Sequence, residues 1–90
     1  MPRYLVERTF IAGHTLPNGE QDHQARLIFD GNNTAEGVMW IHSYVTEDKK
    51  KTFCIYDAPT PAAIRRAAQR NQLPVDRITQ IHVLDPYGYK

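Results

Sequence analysis

Aromatic and β-branched side chains crowd "RYLVERTFIA", Arg3 to Ala12, and the run reads as a strand. Gly13, Pro17 and Asn18-Gly19 then punctuate "GHTLPNGEQ" as a loop. In "EQDHQARLIFDG" the acidic residues come early and Leu27 and Ile28 fall to one side, which predicts a short helix with a narrow apolar face, ended by Gly31-Asn32-Asn33. "EGVMWIHSYVT" and "KTFCIYDA" are two further strands, and the polar "EDKKK" between them predicts a hairpin with a loop longer than a two-residue turn. "PTPAAIRRAAQRNQ" is a second helix with a marked start: Thr60 caps it and Pro61 suits its first position. Its buried face, Ile64, Ala67 and Ala68, is small enough to lie close to a sheet, and Leu73-Pro74 closes it. "DRITQIHVLDP" is a fourth strand stopped by Pro86, followed by the aromatic tail "YGYK".

The order β-α-β-β-α-β predicts an α+β, ferredoxin-like domain over residues 1–90, with a four-stranded antiparallel sheet and two helices on one face. Two short helices leave the other face bare, and period-two alternation says what lies there. Met39, Ile41 and Val45, Phe53 and Ile55, and Ile81 and Val83 suit the helix side. Val38, Trp40, His42 and Tyr44 would then face outward, together with Cys54 and Tyr56, and with Gln80, His82 and Leu84. On the first strand either choice sends one of Glu7 and Arg8 under the helices. Tyr4, Val6 and Phe10 look like core, which places Glu7 on the open face. A face so aromatic marks an interaction surface. The expected solution is a homodimer, two sheets packed face to face as a dimeric α/β barrel around a cavity.

That cavity collects the candidate chemistry: Glu7, Trp40, His42, Tyr44, Cys54, Tyr56 and His82 are the expected ligand-binding residues. His42, Cys54 and His82 are the candidate metal donors, a soft and borderline set suited to nickel or zinc, with Glu7 close enough in the pattern to join them. They come from separate strands, with no CxxC, HxxxH or HExxH spacing, so the set depends on strand register. For catalysis, Tyr44, His42 and Glu7 are candidates to relay protons to a small substrate, although no nucleophile elbow or triad spacing accompanies them. A mid-strand Glu7 requires a partner. Arg8 or Arg65 would make an ordinary ion pair, and His42, Tyr44 or His82 would make a site. His14 and His23 read as surface residues.

Composition narrows the classes. Eleven basic against ten acidic side chains give a net charge of +1, no footprint for nucleic acid or an anionic membrane. Lys49-Lys50-Lys51 beside Glu47 and Asp48 reads as a solvated turn. The sole cysteine cannot form an internal disulfide, which favours a reducing, cytoplasmic setting. "MPRYLVERTF" is too charged for a signal peptide, and no run approaches the length of a membrane span. The glycosylation-like "NNT" at Asn32 to Thr34 has no role in such a setting.

"YLVER" at Tyr4 to Arg8, Trp40, "SYVTEDK" at Ser43 to Lys49, "CIYDAP" at Cys54 to Pro59, "LPVDRI" at Leu73 to Ile78 and Asp85-Pro86 together resemble the DUF4242 family of small bacterial proteins, some labelled nickel-binding. The resemblance implies a ferredoxin-like fold, a homodimer and, in at least one branch, bound nickel. Family members often read "REHA" where this chain has "RRAA" at Arg65 to Ala68, so a helix histidine is missing at Ala67. The metal donors named above are therefore a separate reading of this chain's own residues. The expected function is a non-catalytic cytoplasmic protein that binds a transition metal, nickel by resemblance, or a small ligand in the dimer cavity, with no organic cofactor indicated. The alternative is a cofactor-independent monooxygenase or isomerase-like enzyme. It would act on a small organic substrate in a pocket lined by Trp40, Tyr44 and Tyr56, with Glu7 or His42 as base.

Overall fold

The computed structural model describes residues 1–11 and 20–87, apart from the side chains of residues 20–23. The elements run β1 (Arg3–Thr9), α1 (Glu20–Ala35), β2 (Met39–Val45), β3 (Lys51–Asp57), α2 (Pro61–Asn71) and β4 (Arg77–Ile81). The strands pair antiparallel in the order β2-β3-β1-β4. This is the βαββαβ, ferredoxin-like arrangement that the hydrophobic pattern predicts, with both helices packed on one face.

Each helix stops where its last carbonyls find donors. α1 does not end at Gly31 but runs on to Ala35, because Asn32 and Asn33 are held by α2 rather than free to turn. Asn32 Nδ2 donates to Asn71 Oδ1 at 2.7 Å, and Asn71 Nδ2 donates to Asn33 Oδ1 at 3.2 Å. Gly37 then takes φ 71°, with its N–H on Thr34 O and that of Val38 on Asn33 O, a Schellman ending. Thr60 caps α2 as expected, accepting from the Ala63 N–H at 3.1 Å. α2 closes by the same motif on a non-glycine residue: Gln72 adopts φ 58° and Leu73 N–H reaches Ala68 O.

Val6 and Ile64 are the largest fully buried side chains, and Ala63, Ala67 and Ala68 let α2 lie close to the sheet. Leu27 and Ile28, expected on the buried side of α1, are exposed, while Phe29 turns toward the sheet.

Cross-strand partners share a face, so the register with β1 corrects several expected orientations. Tyr4 and Val6 lie under the helices as expected, opposite Tyr56 and Cys54 of β3. Cys54 and Tyr56 therefore belong to the helix face, with Thr52 and Ala58, while Phe53 and Ile55 take the open one. In β3 both alternating sets are equally apolar, so periodicity alone has no means of choosing between them. On β4, Ile78 opposes Val6 inside and Ile81 opposes Arg3 outside, the reverse of the expectation for Ile81; the strand ends there, leaving His82, Val83 and Leu84 exposed beyond it. On β2 a bulge between Trp40 and His42 shifts the alternation by one residue. The expected faces hold after the bulge, where His42 and Tyr44 are outward and Val45 inward, and invert before it. Val38 and Trp40 turn to the helix side and Met39 to the open side.

Candidate functional site

The sheet thus separates two groups of side chains that the pattern had placed together. On the open face, Glu7 sits mid-strand on β1 beside Phe53 of β3, and Tyr44 of β2 lies beyond Phe53 in the same row. The adjacent row carries Leu5, Ile55 and His42. His42 and Tyr44 meet edge to face, with ring centroids 5.1 Å apart. Tyr44 is 62% exposed and Met39 57%. Glu7 finds its counter-charge in neither Arg8 nor Arg65. Lys51 Nζ stands 3.5 Å from Glu7 Oε1 and also lies over the Phe53 ring, 5.3 Å from its centroid.

On the helix face a pocket of about 260 Å³ opens between the sheet and the helices. Trp40, Cys54 and Tyr56 form its floor, Phe29 of α1 and Leu73 flank it, and Arg8 completes the wall. Trp40 donates its indole N–H to Ser43 Oγ at 2.9 Å, and the buried Cys54 thiol lies 3.6 Å from Thr52 Oγ1. Arg8 is only 2% exposed. Its Nη1 donates to Pro74 O at 2.6 Å and its Nη2 to the Tyr56 hydroxyl at 3.2 Å, while Nε is buried with no acceptor among the described residues. Burial pushes the Tyr56 phenol above its ordinary pKa, outweighing the opposite pull of Arg8, so the hydroxyl beside Arg8 stays neutral.

Of the seven expected site residues, Glu7, His42 and Tyr44 share the open face, and Trp40, Cys54 and Tyr56 share the pocket. His82 belongs to neither, lying exposed past the end of β4. The proposed donors His42, Cys54 and His82 do not converge within one chain. Cys54 is on the other side of the sheet from His42, and His82 follows the opposite edge strand, about 14 Å away across three strand spacings. Among the described residues no three His, Cys, Asp or Glu side chains gather as a metal site. His14, and the side chain of His23, lie outside the described residues. The enzyme reading meets a similar division: the pocket holds Trp40 and Tyr56, but Tyr44 and the candidate bases Glu7 and His42 stand on the far face.

Arg8 and Phe29 are pocket residues that the sequence reading missed. The signal for Arg8 was present. Once Tyr4 and Val6 are core, the period of two carries Arg8 inward as surely as it carries Glu7 outward. Phe29 gave less, because the apolar triplet Leu27, Ile28 and Phe29 does not say which member faces the sheet.

Fold and faces together define a ferredoxin-like α+β domain with one sheet face that no described helix covers. The chain belongs to a specific family with that architecture: residues 4–81 match the model of the nickel responsive proteins, SCO4226-like. Among solved structures, the crystal structure of SCO4226 from Streptomyces coelicolor A3(2) is similar at a TM-score of 0.72 and 18% identity, covering 92% of this chain and 99% of that one. No curated protein matches the chain. Among the described residues no helix is long and apolar enough to cross a membrane.

Proposed function

We propose that this chain is a non-catalytic, nickel-responsive protein of the cytoplasm that works as a homodimer, with the open sheet faces packed against each other. The observation that carries this reading is the uncovered face itself. It joins apolar Leu5, Met39, Tyr44, Phe53 and Ile55 to two metal-competent side chains, Glu7 and His42. Apolar area of that kind is stabilised by a second copy. Among the described residues one chain offers there the imidazole of His42 and the carboxylate of Glu7, with Asp57 already held by Arg3, too few for a tight site, whereas two copies face to face bring each donor twice. Imidazole and carboxylate together suit a divalent first-row ion, and the family's name points to nickel. Cys54 has no part in such a centre, because the sheet lies between it and His42.

Light scattering of protein purified without a histidine tag is expected to give twice the chain mass, and Phe53→Asp to give the monomer. Calorimetric titration with nickel should show binding at micromolar affinity that His42→Ala removes. A wild-type chain that stays monomeric, or that binds no nickel at millimolar concentration, overturns the proposal.

A further inference from the structure

Arg8 is a buried cation without an anion. Its hydrogen-bond acceptors are a backbone carbonyl and a neutral phenol, which use two of its five N–H donors, and its charge meets the face of the Tyr56 ring, 5.8 Å from the centroid, rather than a carboxylate. Among the described residues no ion pair involves it and Nε has no acceptor. Native proteins rarely leave such a group in place, because a desolvated guanidinium without a counter-charge opposes folding and a hydrophobic residue of similar volume would fit better. The surroundings indicate what completes it. Arg8 lies in the wall of a cavity whose apolar or aromatic walls are Phe29, Trp40, Cys54, Tyr56 and Leu73, with the exposed Arg26 also in its lining. A largely apolar cavity whose charged lining residues, Arg8 and Arg26, are both cations recognises an apolar body bearing a negative charge. At about 260 Å³ the space suits a single ring or a short chain rather than a drug-sized molecule.

We propose that the pocket between the sheet and the helices binds a small organic carboxylate, its apolar body against Trp40 and Phe29 and its carboxylate on the Arg8 guanidinium. A guanidinium matches a carboxylate geometrically, and the resulting charge-assisted bonds are stronger than those Arg8 now makes to neutral oxygens. The site is separate from the open face and needs no metal.

The sole tryptophan forms part of the wall, so its fluorescence reports occupancy. Benzoate and hexanoate are titrated into the metal-free wild-type chain, with benzamide and hexanamide as uncharged counterparts of the same shape. Saturable changes in Trp40 emission are expected with at least one acid, and its amide should bind at least tenfold more weakly. Arg8→Met keeps the volume and removes the charge, and is expected to abolish the preference for the acid. Equal binding of acid and amide, or no response to either acid at millimolar concentration, overturns the proposal. The acid–amide comparison on the unaltered chain decides the matter by itself if Arg8→Met fails to fold.

Discussion

Trp40 donates its indole N–H to Ser43 Oγ at 2.9 Å, three residues along the same strand and across the bulge at Ile41. In a regular strand positions three apart point to opposite faces; the extra residue returns both to the helix side. Ser43→Ala removes the acceptor while leaving the bulge backbone in place. The bond is partly solvent-exposed, so stability is expected to fall by only about 0.5 kcal/mol. The Trp40 emission maximum is expected to shift as the indole loses its fixed partner. A urea melt followed by fluorescence measures both.

Acid should weaken the fold through two carboxylates. Arg66 and Arg70 donate to Glu36 at 2.7 and 2.9 Å, and these bonds hold the Glu36 carboxyl below its ordinary pKa. The two bonds from Arg3 do the same for Asp57. A carboxylate whose pKa is depressed by folding contributes stability that is fully present above its unfolded pKa, near 4, and is lost as pH falls through the folded value. Melting temperature is therefore expected to be flat from pH 7 to about 5 and to drop below about pH 4. Glu36→Gln should show a shallower drop.

At the alkaline end the sign reverses for Tyr56. Its raised pKa stabilises the fold below the unfolded value near 10, and that contribution is lost as pH rises beyond it. Absorbance titration should resolve one phenol ionising later than the exposed tyrosines, and that late step should be missing in Tyr56→Phe.

Glu7→Gln separates structural from functional roles on the open face. Its partner Lys51 is half-exposed and 3.5 Å away, so the ion pair contributes little. Chemical denaturation is expected to register less than about 1 kcal/mol, whereas nickel affinity should weaken by tenfold or more if Glu7 is a ligand in the dimer.

Gln72 occupies a left-handed position, φ 58°, that in α1 falls to Gly37. Gln72→Gly relieves a strain of about 1 kcal/mol, partly offset by the greater freedom of glycine in the unfolded chain. A rise in melting temperature of one to a few degrees, on the order of 0.5 kcal/mol, is the expected outcome.

These residues show which parts of the architecture local pattern carried. Thr60 and Pro61 mark the start of α2 because capping is decided within four residues. The end of α1 is decided by Asn71, far along the chain, and Gly31 therefore misleads. Face assignments followed the same division. Where one alternating set was plainly more apolar, as with Tyr4 and Val6, the period of two was enough. On β3, Phe53 and Ile55 rival Cys54 and Tyr56, and only the packing of the alanine face of α2 chooses between them. The bulge at Ile41 was hidden because an extra residue leaves an uninterrupted apolar run, "VMWI", with no glycine to mark it. The candidate site was legible as a set of unusual residues, but its division between two faces was not.

For the gene, Ile41 is a spare codon. Replacing the residue changes one half-exposed side chain, and deleting it would leave Trp40 and His42 as consecutive residues opposite Tyr56 and Ile55, as in a regular strand. The indole would keep its place in the chamber that holds Arg8, and Met39 its place on the surface that holds His42. What a three-nucleotide deletion would take away is the added bend and twist of the bulged strand. Selection at this point of the chain acts on the path of the strand, while the allotment of side chains to the two chambers survives with or without the residue.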